Sequence, residues 1–145
     1  MSTASNLLMV GWREVIGLPD LGIPAIPAKM DTGARTSALN AEVIETLDQK
    51  GCQHVRFLAR WPGHERLCEA PITDRRTIRS SNGELQQRFV IKTPLRIGNI
   101  VITAEVTLAD RSEMQLPMLV GRSVLRRRMV VDSSRSWLQS PPHCG

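Results

Sequence analysis

Short alternating runs joined by glycine-containing turns constrain the fold of this chain more than any other feature of its sequence. The runs APITDRRTIRS and ELQQRFVIKT flank a turn that contains Asn82 and Gly83, and LRIGNIVITAEVTLAD turns at Gly98 and Asn99. An Asn-Gly pair between strand-like runs is the strongest short-range signal for a β-hairpin. With similar runs elsewhere, the sequence predicts about eight to ten short strands and one short helix, hence an all-β, closed or nearly closed β barrel.

The remaining elements follow from the positions of turn residues and apolar runs. A first strand is expected over Leu7–Ile16, and a short one over Ile26–Met30 after the turn GLPDLGIP. The segment TSALNAEVIETLDQKG fits either a short helical turn or a strand over Ala41–Leu47. We favour the strand, because the alternating run QHVRFLARW can pair with it. Near the C-terminus, PMLVGRSVLRRRMVVD begins as an apolar strand, turns at Gly121 and continues as a helix-like run over Ser123–Arg128.

Length and composition indicate one domain with an aliphatic core. A chain of 145 residues is long enough to bury a core without disulfides or metals. We expect a single domain over residues 7–140, with flexible termini at 1–6 and 141–145. Aromatic residues make up only 3% of the chain, so the core must be built from Leu, Ile, Val, Ala and Met. Such a core suits a β-rich body of many short strands.

The charge of the chain favours an acidic partner. The formal charge is +5, carried mainly by arginine, with clusters at Arg75–Arg76 and Arg126–Arg128. The planar guanidinium pairs with two oxygens of a carboxylate or phosphate, although a basic face exposed to water fits the same pattern. Nucleic acid is the poorer candidate, because modules that bind it usually add stacking aromatics, and this chain has no tyrosine and only two phenylalanines.

The cysteines and the N-terminal segment indicate the cellular compartment in which the protein is expected. Three cysteines without framework spacing argue against a disulfide scaffold and favour a reducing compartment. The segment MSTASNLLMVGWRE lacks the basic start and the apolar run of a signal peptide, and no stretch of the chain is long enough to cross a membrane. We therefore expect a cytoplasmic protein that has no membrane partner.

The motif Asp31-Thr32-Gly33 follows a strand and is the strongest candidate for chemistry. Such a tripeptide also forms ordinary turns. Its catalytic interpretation has a physical basis: the glycine lets a second loop approach closely, and the threonine hydroxyl can hydrogen-bond to that loop. Two aspartates brought together share one proton, because two adjacent carboxylates cannot both ionise cheaply. One can then act as a base on water while the other, protonated, polarises a scissile carbonyl.

Two sequence blocks, DTGARTSAL and MLVGR-x-x-L, give the chain a family resemblance. Over roughly Met9 to Leu138 it resembles the bacterial family named ATP-dependent zinc proteases, also described as retropepsin-like. The resemblance implies a retropepsin-like β barrel and a homodimer in which each subunit supplies one Asp31. It also implies a link to ATP-grasp ligases that append glutamates to proteins, and an activity that trims such acidic tails. Asn40 departs from the family pattern, which often has a histidine there.

Further residues are candidates for substrate binding or for the second carboxylate. Arg35 can bind a substrate carboxylate or hydrogen-bond to its own loop. The Asn82–Gly83 turn is either a mobile flap over the cleft or an ordinary hairpin. Arg122 can pair with an acidic group beside the active loop or at a dimer contact, and we also include it among the substrate-binding residues. Asp132 follows an apolar strand like a degraded second motif, but serine at position 134 replaces the glycine that close loop approach needs.

The zinc in the family name has weak support in the residues. The run HERLC, from His64 to Cys68, resembles the His-Glu-x-x-His motif, but a proline and a glycine precede it and a strand-like run follows. No phosphate-binding Gly-x-x-x-x-Gly-Lys loop is present, so we expect neither a metal nor another cofactor. The sequence thus predicts an aspartic-type peptidase or amide hydrolase. The alternatives are a catalytically silent β-barrel module that binds an acidic protein or peptide, and a zinc-dependent peptidase.

Overall fold

The computed structural model describes residues 7–79, 82–110 and 116–139, and the predicted flexible termini at 1–6 and 141–145 lie outside this range. The described residues form ten strands, one short α-helix and a single 3-10 turn at Pro19–Leu21. The elements are β1 (Leu8–Leu18), β2 (Ile23–Met30), β3 (Ser37–Gln49), β4 (Cys52–Trp61), β5 (His64–Pro71), β6 (Asp74–Arg79), β7 (Leu85–Ile97), β8 (Ile100–Ala109), β9 (Met118–Val120), α1 (Arg122–Leu125) and β10 (Met129–Ser136).

Most strands belong to one curled sheet in the order β10-β1-β2-β9-β3-β8-β7-β6. The sheet curls far enough that Gly17 on β1 pairs with Arg96 on β7, which brings β1, β2, β9, β3, β8 and β7 into a ring. This closure rests on a single residue pair, so the all-β prediction is confirmed whereas a fully closed barrel is not shown. The far part of β3 leaves the ring and pairs with β4, which in turn pairs with β5.

The hairpins that the turn signals predicted are present. β6 pairs antiparallel with β7 around the Asn82–Gly83 turn, and β7 pairs with β8 around Gly98. Gly83 and Gly98 both have positive φ, at 88° and 56°, a region that glycine adopts without a steric penalty. The ambiguous segment is a strand, as favoured, although it extends over all of β3. The helix prediction over Ser123–Arg128 was wrong in its bounds, because α1 begins one residue earlier and ends at Leu125.

The core is aliphatic, as the composition predicted. Ile16, Leu39, Ile91 and Leu95 are among the largest fully buried side chains. Phe57 on β4 is the one aromatic ring in the fully buried set of the described residues. Burying an aliphatic side chain of this size stabilises the fold by about 1.5–3 kcal/mol. The ring of strands therefore has a packed interior on which the loops at its edge can be held in place.

None of the helices among residues 7–79, 82–110 and 116–139 is long and apolar enough to cross a lipid bilayer.

Candidate functional site

The Asp31 loop begins where β2 ends beside β9. These two strands are parallel, with Met30 opposite Val120. The Asp31 amide extends this pairing by donating to the Val120 carbonyl at 2.8 Å. The loop closes on itself, since the Gly33 amide donates to Asp31 Oδ1 at 2.9 Å and the Ala34 amide donates to the Asp31 carbonyl at 3.3 Å. The carboxylate is thus held at a fixed place and angle at the edge of the ring.

The outer oxygen of Asp31 remains open to a reactant. The side chain is 26% exposed, and its described ionic neighbour is Lys29, whose Nζ lies 3.9 Å from Asp31 Oδ2. Lys29 is itself half-exposed at 51%, so this ion pair is weakened by solvent screening. One carboxylate oxygen therefore orients the group through Gly33, while the other is available for a second carboxylate, a water molecule or a substrate.

Gly33 has a local role in addition to the approach of a second loop, which stays a prediction. Its φ lies outside the left-handed region, so the turn does not need glycine for its backbone conformation. A Cβ at this position would instead lie 3.2 Å from Asp31 Oδ1, which is tighter than an ordinary contact. Glycine therefore leaves space for the carboxylate to accept the amide of its own loop. Thr32 is exposed, and its carbonyl accepts a hydrogen bond from Arg122 Nη1 at 3.2 Å.

Arg122 braces the Asp31 loop. Its Nη1 donates to the carbonyls of both Thr32 and Gly33, each at 3.2 Å. The backbone at the start of α1 adds two further bonds, from the Arg122 amide to the Ala34 carbonyl at 2.7 Å and from the Ser123 amide to the Arg35 carbonyl at 3.1 Å. The geometry therefore gives Arg122 a positioning contact beside the loop, whereas nothing in the structure tests the prediction that it binds substrate.

Gly121 is a site residue whose steric role the sequence reasoning missed. A Cβ at this position would lie 2.6 Å from both the carbonyl carbon and the oxygen of Thr36, and this backbone cannot move aside cheaply. The Gly121 amide donates to Ser37 Oγ at 3.1 Å, and Ser37 is fully buried. The absence of a side chain at position 121 thus allows β9 and the downstream end of the Asp31 loop to pack backbone against backbone.

Arg35 lies on the exposed side of this junction. It lines a surface depression of about 540 Å³ together with Arg122, Ser123 and Arg126. A second depression of about 490 Å³ shares Arg35 and Ser123 and extends to the Arg76–Glu105 ion pair, whose Nη2 to Oε1 distance is 3.1 Å. The base of the β6–β7 hairpin therefore reaches the same surface as the Asp31 loop.

Two hydrogen bonds are described within the tip of that hairpin. Asn82 Oδ1 accepts the Glu84 amide at 3.1 Å, and the Gly83 carbonyl accepts Arg79 Nη1 at 3.1 Å. These bonds close the turn and fit a flap and an ordinary hairpin equally. The assignment of Asn82 and Gly83 to substrate binding stays a prediction.

Asp132 is engaged within its own strand. It lies on β10, opposite Gly11 of β1, and its Oδ1 accepts the amide and the hydroxyl of Ser134 at 2.9 and 2.6 Å. These bonds, together with the nearby Arg135, hold the pKa of the Asp132 carboxyl below its usual value. The serine that replaces glycine in the degraded motif thus bonds to Asp132 itself, and no described contact joins Asp132 to the Asp31 loop.

The residues of HERLC do not fit a zinc site. They form the start of β5, where a rise of about 3.3 Å per residue separates His64 from Cys68 by roughly 13 Å, too far to share one ion. Burial raises the pKa of the Cys68 thiol to about 11, which opposes the thiolate that zinc requires. Asn40, the departure from the family pattern, donates its side-chain amide to the Arg60 carbonyl at 3.4 Å. Within the described part of the chain, no cluster of three His, Cys, Asp or Glu residues could hold a metal.

Curated relatives carry a ligase name but are much longer proteins. A "Probable alpha-L-glutamate ligase" of Desulfotalea psychrophila is 38% identical over 128 residues, which cover 86% of this chain and 28% of the relative. Its namesake in Shewanella halifaxensis is 36% identical over 138 residues, covering 92% of this chain and 30% of the relative. The chain thus spans less than a third of these relatives.

A solved structure has the same fold. A Legionella pneumophila protein of unknown function superposes with a TM-score of 0.77 and 24% identity, covering 91% of this chain and 98% of that one. The family model described as retropepsin-like aspartic endopeptidase RimB matches residues 9–142. The retropepsin-like part of the predicted resemblance is confirmed, whereas the ATP-dependent zinc protease name finds no support. The chain belongs to the RimB-like family of retropepsin-like aspartic endopeptidases.

Proposed function

We propose that the protein is an aspartic-type peptidase or amide hydrolase in which Asp31 of two subunits activates water. The observation that carries the proposal is the presentation of Asp31. Its carboxylate stands at a strand end, one oxygen fixed by the Gly33 amide and the loop braced by Arg122. Catalytic groups need such fixed placement, because small displacements of a reacting atom cost large factors in rate.

The chemistry requires a partner for Asp31. The described part of one chain contributes Asp31 to this loop and places no second carboxylate against it, so the second group is proposed to come from Asp31 of another copy across a two-fold axis. Two carboxylates held side by side share a proton, which leaves one ionised and one neutral. The ionised member removes a proton from water as the water oxygen bonds to the carbonyl carbon, and the neutral member donates a hydrogen bond to the carbonyl oxygen. The C–N bond then breaks, and the proton taken from water passes to the leaving amine.

The proposed substrate is a glutamate-rich protein tail. The depression beside the loop is lined by three arginines, Arg35, Arg122 and Arg126, which suit an acidic chain. The ligase name of the longer relatives supports a functional link to an enzyme that adds glutamate, with this domain hydrolysing what such an enzyme makes. Under this proposal an ATP-grasp glutamate ligase is the functional partner.

A silent binding module is the second candidate. The same arginine-lined depression favours it, because the depression can hold an acidic peptide whether or not Asp31 reacts. The two candidates differ in what the Asp31 carboxylate contributes.

Substitution Asp31→Asn separates these candidates. The change keeps the size of the side chain and an oxygen for the Gly33 amide but removes the ionisable group. Hydrolysis of an oligoglutamate peptide should fall by about a hundredfold or more, whereas peptide binding should be retained. The measurements are peptide cleavage by mass spectrometry and binding by fluorescence anisotropy.

A matched control is Asp132→Asn. Asp132 is also an aspartate that follows an apolar run of the sequence, and its described bonds are to Ser134 and Arg135. Its conversion should leave the cleavage rate unchanged. Cleavage by the Asp31→Asn protein at the unmodified rate would refute the aspartic mechanism, and binding without any cleavage by the natural sequence would favour the silent module.

A further inference from the structure

Five of the arginines near α1 and the base of the β6–β7 hairpin divide into two groups by their hydrogen bonds. Three of them are engaged with the protein itself. Arg122 bonds to the loop carbonyls, Arg128 Nη1 bonds to the carbonyls of Ser123 and Val124 at 3.2 Å each, and Arg76 bonds to Asp74 and Glu105. These guanidinium groups have structural partners and are poorly placed to serve a ligand as well.

Arg35 and Arg126 form the other group. Among the residues described, no carboxylate or carbonyl accepts a hydrogen bond from either guanidinium, and both side chains are exposed. Both nevertheless line the same depression of about 540 Å³, together with the exposed Ser123. Two unpaired cations that face one concavity repel each other, and this arrangement is relieved when an anion binds between them.

The two arginines are held in a fixed relation to Asp31 by the backbone. The Arg35 carbonyl accepts the Ser123 amide at 3.1 Å, and the Arg126 amide donates to the Arg122 carbonyl at 2.8 Å. Arg35 itself belongs to the loop that carries Asp31. The backbones that carry both arginines are therefore tied to the segment that carries Asp31, so a group bound by this pair lies on the same surface as the Asp31 loop.

We propose that Arg35 and Arg126 form an anion subsite that binds side-chain carboxylates of an acidic peptide and thereby selects the substrate at Asp31. This inference rests on the proposed function, which it deepens by naming the residues that determine specificity. It assigns a ligand-binding role to Arg126, which the sequence analysis did not single out as a site residue. It also gives Arg122 the role of a positioning residue, because its guanidinium is occupied by the loop carbonyls.

An acidic peptide fits the subsite better than a nucleic acid does. The depression is lined by Arg35, Arg122, Ser123 and Arg126, without an aromatic side chain. Single-stranded nucleic acids are usually bound by stacking of bases on aromatic rings in addition to charge. A carboxylate can instead accept two parallel N–H bonds from one planar guanidinium, and each of the two arginines can supply such a pair.

The test measures binding separately from hydrolysis. Each variant is made in the Asp31→Asn protein, so that the probe is not cut, and binding of a fluorescein-labelled oligoglutamate peptide is followed by anisotropy. Arg35→Gln and Arg126→Gln should each weaken binding about tenfold, in line with the loss of one charge-assisted pair. Binding of the matching oligoglutamine peptide should be weak and unchanged by either substitution.

Lys50→Gln is the control for net charge. Lys50 follows the far end of β3, a strand of 13 residues that starts two positions after Arg35. The substitution therefore removes one positive charge, as the arginine substitutions do, but at a place remote from the subsite. Binding by Lys50→Gln should stay within about twofold of the parent. An equal loss in Lys50→Gln, no loss in Arg35→Gln and Arg126→Gln, or tighter binding of a single-stranded oligonucleotide than of the peptide would overturn the subsite.

The two proposals fail differently. If the protein with Asp31 intact does not cleave oligoglutamate but the arginine variants still lose binding, the subsite stands and the peptidase is wrong. If cleavage depends on Asp31 but peptide binding is unchanged in Arg35→Gln and Arg126→Gln, the peptidase proposal stands and the subsite proposal is wrong.

Discussion

At the scale of single residues, the buried Glu14 accepts hydrogen bonds from three backbone amides, whereas the Asp31 carboxylate accepts the one from Gly33. Glu14 lies on β1 with no exposed surface. Glu14 Oε2 accepts the amides of Gly11 at 2.7 Å and Leu138 at 2.9 Å, and Oε1 accepts the amide of Gln139 at 2.9 Å. One side chain therefore supplies acceptors for three backbone groups and fastens residues 138–139, which follow β10, onto β1.

Replacing Glu14 by glutamine should destabilise the protein. The amide nitrogen of glutamine is a donor and would face a backbone N–H, so at least one buried donor loses its acceptor. The free energy of unfolding should fall by about 2–4 kcal/mol. Urea denaturation measures this change, with Glu65→Gln on the exposed part of β5 as the control, expected to lose no more than about 1 kcal/mol. Equal stability of the two variants would contradict the fastening role.

The sequence pattern around Glu14 indicates that its side chain is buried, although the sequence analysis did not single it out. Side chains alternate along a strand, and Glu14 lies two positions before the buried Ile16, on the same face of β1. An acidic residue on that face must find buried donors, and this could have been inferred. Asp31 was singled out because its tripeptide is a known motif. Arg126 was not, because only the fold shows which arginine of the run lines a depression together with Arg35.

At the scale of elements, the junction between the Asp31 loop and α1 depends on close approach of two backbones. Gly121 follows β9 and caps α1 with φ −93°, a conformation open to any residue. Its requirement for glycine is therefore steric, because a Cβ on residue 121 would lie only 2.6 Å from the Thr36 backbone. The same four-residue helix carries Arg122 and so connects this packing to the geometry of the loop.

Gly121→Ala should disturb both stability and the site. The added methyl group must push the Thr36 backbone away, which should cost about 2–3 kcal/mol of unfolding free energy and lower any Asp31-dependent cleavage. Gly63→Ala is the matched control, because its Cβ would meet nothing within 4 Å although its φ is 77°. That variant should lose about 1 kcal/mol through backbone strain and keep the cleavage rate. Thermal unfolding and peptide cleavage test both variants, and an undisturbed Gly121→Ala would refute the close-packing argument.

Local pairing was predictable from the sequence, and distant pairing was not. The turns of the β6–β7 and β7–β8 hairpins contain residues that favour the backbone conformation of a tight turn. Both hairpins could therefore be predicted from Asn82–Gly83 and Gly98. The parallel pairs of β1 with β10, β2 with β9 and β3 with β8 join segments far apart in the chain. Their register is set by the packed core, which leaves no local signature. These parallel pairs, one of which delivers Asp31 to Val120, build the candidate site.

At the scale of the whole molecule, one copy of the chain presents half of the proposed catalytic pair. The carboxylate of Asp31 has a fixed orientation and an accessible oxygen, but its described ionic neighbour is a lysine. Asp132 lies on β10, where it is held by Ser134 of the same strand. A cyclic dimer is the simplest assembly that brings two identical loops together, because a two-fold axis places the same residue from each copy at one point.

Mixing active and inactive subunits tests whether the active unit is such a dimer. The natural protein and Asp31→Asn are unfolded together in equal amounts, refolded, and compared with the natural protein at the same total concentration. If both aspartates are needed, only dimers with two intact subunits cleave, and random pairing leaves about a quarter of the activity. If each chain acts alone, about half remains. Separate refolding before mixing, in conditions where subunits do not exchange, should give half in either case and shows that any further loss comes from shared dimers. A value of one half after joint refolding would mean that Asp31 does not act with its counterpart, and the proposed pair of carboxylates would have to be abandoned.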